Sequence, residues 1–405
     1  MKALRWMIVV ALSLAAVAVA SQILGAQATG QVTADTRLPG AGRVIDASTY
    51  PSLQAAIDAL PSTGGVVRLP PGTFEISEPL KITTGDVLIE GAGTATHIKN
   101  VNTRGASAII VQHPSGVDNP GAALWRVRLA DFRLTGNDKS GHGIEARRIN
   151  EVFIQAVTVS YHGGDGIHLH HCYEDPRIGD SLITYNKKSG LYAVGCHDTV
   201  VAANQFEENL DAVRYIDGFN LCMTGNNIDD HLRDGVVVEN TYGSVVAGNM
   251  IEECNGAAIV LDRNCYGITL SANVVAHEVA GGIDLRGAHG CTVSANTFTI
   301  VQKDAVRIGP NSGRIVVCGN NFSDSYVGGG EVVRPADDRS AAGLTLDGAA
   351  DVAVVGNLFS SVRPKALATG GQESSRILFT DNVLVDAPVD RERLNRSFVE
   401  GNLSE

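Results

Sequence analysis

Apolar and polar positions repeat along this chain. Between about Val200 and Asn320 one phrase returns: an apolar pair, a small residue, an asparagine, another apolar residue. It reads VVAANQF, MTGNNI, SVVAGNMI, ITLSANVV, CTVSANTF and IVVCGNNF. The asparagines are Asn204, Asn226, Asn249, Asn273, Asn296 and Asn320, spaced 22, 23, 24, 23 and 24 residues apart. Between them lies a second short strand: DAVRYI, DGVVVE, AAIVLD, GGIDLR, DAVRIG. Such a period, with strands and turns and no room for a helix, predicts an all-β solenoid. One coil cannot bury its own apolar face, so neighbours must stack into a continuous core. The asparagines then form a ladder of side-chain amides bonded along the stack, as in cross-β assemblies. Upstream the ladder position falls on Phe132, Val157 and Ser181, and downstream on Asn357, Asn382 and Asn402, for about twelve coils in all. The long interval from Asn320 to Asn357 predicts a loop insertion at 325–339 within one turn of the stack.

The rest of the chain divides around this repeat. Residues 1–28 read as an export signal: Lys2 and Arg5 precede an apolar run from Trp6 to Ala20, short for a membrane span, with small-residue cleavage sites after Ala20 or Ala28. No stable membrane insertion is expected once it is removed. Residues 29–42 are a polar lead-in. Residues 43–98 form an N-terminal cap and first coils: Leu53, Ala56, Ile57 and Leu60 recur at helical spacing between Pro51 and Pro61, predicting a short helix over the open end of the stack. Residues 99–405 complete the solenoid. The helix followed by GGVVRLPPGTF and LIEGAGTATHI, together with the asparagine repeats, resembles the single-stranded right-handed parallel β-helix of the pectate-lyase-like superfamily. The right hand is implied by that resemblance, as is calcium; the sequence itself offers no recognisable ligand set, and no cofactor is predicted. That fold hosts lyases, hydrolases, epimerases and non-catalytic binders, so function has to be read from a site.

Composition narrows the partners. The formal net charge of −12 argues against nucleic acid, but leaves open an anionic polysaccharide met by a local basic patch. Aromatics make up only 5%, which suits a core of stacked Val, Ile and Leu. None of the seven cysteines has CxxC spacing, so no zinc or redox motif is supported. Cys172 and Cys196 fall at equivalent points of adjacent coils, where they could bridge or simply fill the core.

Candidate chemistry comes from side chains that point outward where several coils build one face. With the first inward residues of the second strand in register (Ile144, Ile167, Leu191, Val213, Val236, Ile259), one outward column reads Glu145, His168, Tyr192, Arg214, Val237, Val260. The next reads Arg147, His170, Val194, Ile216, Glu239, Asp262. The expected catalytic group is His168, His170, Tyr192 and Arg214. The expected substrate-binding group is Glu145, Arg147, Asp165, Tyr173, His197 and Asp211. These types suit β-elimination across a uronic acid: arginine neutralises the carboxylate, histidine removes the C5 proton, and tyrosine protonates the leaving oxygen.

The segment GGDGIHLHH…SLITYNKKSGLYAV also resembles the catalytic region of mannuronan C5-epimerases and related alginate lyases. Against their Tyr-x-x-Asp-Pro-His pattern stand Asp165, His168, Leu169 and His170, of which only His170 matches in type. A polysaccharide lyase is therefore the first reading. A glycoside hydrolase using pairs among Glu145, Asp165, Asp211 and Asp234 is the second. Gly141-His142-Gly143 resembles the Gly-His-Gly of polygalacturonases, but their Asn-Thr-Asp and Asp-Asp do not precede it here. The third reading is a carbohydrate-binding or surface structural β-helix, in which exposed Val237 and Val260 mark a contact patch.

Overall fold

The residue before each ladder position turns the chain. From Ala203 through Gly225, Gly248 and Ala272 to Gly401, these residues have positive φ, 54° to 72°. Glycine adopts that conformation freely and other residues at some cost, which explains the small-residue slot in the repeat. Asp131, Ala156 and Asp180 bend the same way before Phe132, Val157 and Ser181. The repeating phrase is therefore two strands, for example Val200–Ala202 and Gln205–Glu207, with Val213–Ile216 as the third side of the coil.

In the computed structural model the three sides stack as parallel sheets of 16, 14 and 12 strands, called here the first, second and third. The described residues are 38, 40–116, 119, 121–277, 279–323 and 342–404. The export signal and the 325–339 insertion lie outside them. The stack runs to about fourteen turns rather than twelve, because the coils before Phe132 carry none of the ladder residues by which turns were counted. Either side of the insertion the register is unbroken: Asn320 Nδ2 donates to Asn357 Oδ1 at 2.9 Å.

The expected ladder is present and directional. The backbone N–H of Asn204 and its Nδ2 both donate to Asn226 Oδ1, at 3.1 and 3.0 Å. The pattern repeats through Asn249, Asn273, Asn296, Asn320 and Asn357 to Asn382, which donates to Asn402. Ser181 caps it upstream through its N–H to Asn204 Oδ1. Inside, Phe298, Phe322 and Phe359 stack at 4.9 and 4.5 Å between centroids. All seven cysteines are free, Cys172 and Cys196 included, and most are buried as small core residues.

A helix, Leu53–Asp58, is capped by the Ser52 side chain and buries Leu53, Ala56 and Ile57. Its Gln54 reaches the outermost strand of the third sheet, Leu80–Ile82. The Gln54 amide accepts from Lys81 N at 2.8 Å and donates to Lys81 O at 3.1 Å, occupying backbone groups that an edge strand would otherwise leave open. Among the described residues no helix is long and apolar enough to cross a membrane.

A second corner carries His162, Asn186, Asn209 and His231. His162 N–H donates to Asn186 Oδ1, and Asn186 Nδ2 to Asn209 Oδ1. Both histidines are fully buried, and each leaves Nε2 without a partner. Burial, reinforced for His162 by nearby His142, pushes His162 down to about 3; burial pushes His231 down to about 4. Because the unfolded chain protonates first, their contribution is intact above about pH 6.5 and is lost as pH falls toward the folded values. Each histidine can cost up to about 1.4 kcal/mol per pH unit across that window. The urea midpoint is therefore expected to drop steadily between about pH 6.5 and pH 4, and His231→Asn to shallow the slope. A slope unchanged by that substitution would rule out His231 as a source of acid sensitivity.

Candidate active site

Parallel pairing in the third sheet sets the candidate residues side by side. Ile144, Ile167, Leu191 and Val213 are in register, so Glu145, His168, Tyr192 and Arg214 form one outward column across four coils. Arg147 and His170 stand in the next. The alignment read from strand alternation is the one observed.

The column is organised by a residue just before the strand. Asp165 is almost fully buried. Its Oδ1 accepts the Ser189 N–H at 3.0 Å, and its Oδ2 lies 2.9 Å from His168 Nδ1 and 3.1 Å from His142 Nδ1. Burial alone would raise the Asp165 carboxyl, but the two histidines outweigh it and hold the group at about 2. An ionised carboxylate only accepts. Neutral His168 therefore carries its proton on Nδ1 and presents the Nε2 lone pair. His142 Nδ1 also lies 3.0 Å from the Asp165 backbone N–H. Protonated, it donates to the carboxylate; deprotonated, it accepts from the backbone. The His168 ring lies between His142, at 4.4 Å, and Tyr192, stacked at 5.0 Å and 10°. An imidazole with an orienting carboxylate and a phenol on the next coil thus share one face.

The arginines are engaged. Arg147 Nε donates to Glu145 Oε1 at 2.8 Å, and Ser107 Oγ donates to Glu145 Oε2 at 2.9 Å. Burial would raise Glu145, but Arg147 and Ser107 together hold it below the ordinary carboxylate value. Arg214 pairs with Asp211 at 3.4 Å and with Glu239. Asp211 also holds Arg233 at 2.7 Å, and Glu239 holds Arg263 at 2.7 Å. Asp211, Asp165 and Glu145, read from sequence as substrate-binding, are buried behind their partners.

His170 lies edge-on to His171 at 4.3 Å. Burial first, then His171, His168 and two arginines, lower its pKa. No hydrogen bond orients its ring among the described residues. Tyr173 and His197 belong elsewhere: with His171, Phe219, Tyr242 and Tyr266 they line the corner between the third and first sheets, with successive centroids 3.5 to 6.1 Å apart.

Val237 and Val260 are not an exposed patch. They are 4% and 1% exposed. In their column Arg214 and Asp284 bracket them, with Glu239 and Asp262 in the column beside them, so the methyl groups sit among charged side chains.

Among the described residues two groups offer metal donors. His142, Asp165 and His168 place three ligand atoms within 4.8 Å of one another, a set suited to a transition metal. A metal there would take both Nδ1 lone pairs and displace the proton that orients His168. Asp229, Asp230 and Glu253 converge equally closely; burial first, then neighbouring carboxylates, raise Asp229 and Glu253. Calcium takes about 6–8 oxygens, of which this trio, with two members exposed, offers three.

Residues 142–298 match the family model described as right handed beta helix region. The A-module of the Azotobacter vinelandii mannuronan C-5 epimerase AlgE6 shares the fold at a TM-score of 0.56 and 19% identity, covering 89% of this chain and 99% of that one. This chain has the right-handed parallel β-helix fold. The β-helix also aligns with bacteriophage phi29 gene product 12 (TM-score 0.59, 12% identity, 85% of this chain and 57% of that one). Tailspike protein 3 of bacteriophage CBA120 aligns at 0.57 and 12%, over 82% of this chain and 58% of that one. No curated protein matches the β-helix in sequence.

Sequence reasoning noted His142 only in the Gly-His-Gly motif it set aside, and missed Arg233 and Arg263. His142 stands two residues before its strand, as Asp165 does before the next, a regularity that could have found it.

Proposed function

We propose that the β-helix is a polysaccharide lyase that acts on a uronic-acid polymer by β-elimination. The observation that carries this reading is His168, oriented by Asp165 and stacked on Tyr192. His168 Nε2 takes the C5 proton. The electron pair left on C5 forms the C4–C5 double bond as the C4–O bond breaks, and the Tyr192 hydroxyl protonates the departing oxygen. Arg214, with Nη1 and Nη2 committed to Asp211 and Glu239, still offers N–H donors to the substrate carboxylate. The basic leader at Lys2 and Arg5 supports export to where such polymers occur.

Epimerisation, the activity in the name of the Azotobacter module, begins with the same proton removal and differs in returning a proton to C5. Incubation with alginate, pectate, hyaluronan and heparan in deuterated water separates the outcomes. Ultraviolet absorbance of an unsaturated uronate is the expected result. Deuterium at C5 without absorbance would make the protein an epimerase. New reducing ends without either would make it a hydrolase, and no change on any polymer would leave a binding or structural β-helix.

A further inference from the structure

The lyase reading uses Asp165 and His168 and leaves His142 without a task. Yet His142 is aimed as closely as His168 is. Both Nδ1 atoms face one oxygen, Asp165 Oδ2, at 3.1 and 2.9 Å. In a tetrahedral zinc site, neighbouring donor atoms lie about 3.3 Å apart. Two edges of such a site are therefore close to set, and the remaining pair, the two nitrogens, lies within 4.8 Å. Asp165 Oδ1 is fixed from behind by the Ser189 N–H at 3.0 Å, the kind of outer hydrogen bond that holds a ligating carboxylate in place. His142 and Asp165 each stand two residues before a strand of the third sheet, and His168 lies on one, so parallel pairing anchors all three. The carboxylate is almost fully buried, while the His142 and His168 side chains are 22% and 19% exposed. An ion can thus reach the three atoms from the outer face and keep water as its fourth ligand.

Two imidazoles and one carboxylate suit zinc, copper or nickel better than calcium or magnesium, which prefer oxygen. We propose that His142, Asp165 and His168 form a zinc site and that the bound ion switches the lyase off. The regulation rests on the lyase reading; the site does not. The switch follows from the single N–H of a neutral imidazole. Zinc takes the Nδ1 lone pair of His168 and the proton moves to Nε2. The atom that faces the substrate then donates where it has to accept. Zinc and the base exclude each other on one ring, with no proton gained or lost. Zinc also takes the His142 lone pair that accepts the Asp165 N–H at 3.0 Å. That competing bond weakens the site and makes its occupation reversible.

Zinc, with calcium as the contrast, is titrated by calorimetry into the full chain, into His142→Gln and into His168→Gln, while the nitrogen chemical shifts of His168 are followed in the parent. One zinc per chain is expected, bound about tenfold or more weakly in either variant, and with Nε2 of His168 becoming the protonated nitrogen. On a polymer that the protein cleaves, elimination is expected to fall in step with zinc occupancy and to return with a chelator. His142→Gln, measured against its own metal-free rate, is expected to need about tenfold more zinc for the same loss. Zinc held as tightly by both variants, or no tighter than calcium in the parent, would overturn the site. Zinc bound there with elimination undiminished would overturn the switch and take His168 out of the lyase mechanism. Zinc bound there in a protein that cleaves no polymer would support the site and remove the lyase.

Discussion

Asp165→Asn is expected to cut turnover about 100-fold or more, within the range that positioned general bases supply, while the fold stays intact. The carboxamide oxygen can still accept the Ser189 N–H, but an NH₂ then faces His168 Nδ1. His168 answers by moving its proton to Nε2, and the lone pair that should meet the substrate is gone. His168→Ala should cost as much, and the double substitution little more than either, because an orienter and its base act as one unit. Two readouts separate this from general damage: the rate of C5 deuterium exchange, and the nitrogen chemical shifts of His168, which report its tautomer. An Asp165→Asn protein that exchanges C5 at the parent rate would remove His168 from the mechanism.

Asn249→Leu is expected to destabilise the β-helix by about 3–5 kcal/mol, at the upper end for a point substitution. Removing Asn249 Oδ1 strands the buried N–H of Asn226 and takes one acceptor from its Nδ2, which keeps the Val201 carbonyl. Losing its Nδ2 takes donors from Asn273 Oδ1 and from the Met223 carbonyl, and the added methyls must fit a corner that is 1% exposed. Asn402→Leu at the open end strands the N–H of Asn382 alone, at a position that is only partly buried, so its cost should be about 1–2 kcal/mol. Urea unfolding of the two variants measures the difference, and equal effects would contradict a ladder whose strength lies in its buried interior.

Most of the architecture was legible because the two devices that build it are local. An αL residue before the ladder position bends the chain, and strand alternation then decides which side chains face out. In-register stacking carried that alternation across coils, which is why Glu145, His168, Tyr192 and Arg214 could be aligned from sequence. Pairing partners were not legible. Whether Arg214 meets a substrate or Glu239 depends on side chains from coils on either side, and sequence spacing is silent on rotamers. The same limit hid Val237 and Val260, outward by alternation yet enclosed by longer neighbours. Asp165 read as a ligand because a turn aspartate looks the same whether it faces solvent or braces a histidine.

The ladder makes every coil interchangeable with the next at the level of the backbone. Distance along the third sheet is therefore counted in whole steps, and the β-helix is a ruler with one graduation per coil. A duplicated coil between Asn226 and Asn249 would move Asp284 one graduation, about 4.8 Å, further from His168 and leave the residues of both places untouched. The spacing of features on such a surface can lengthen or shorten by copying, without any residue at either end having to change.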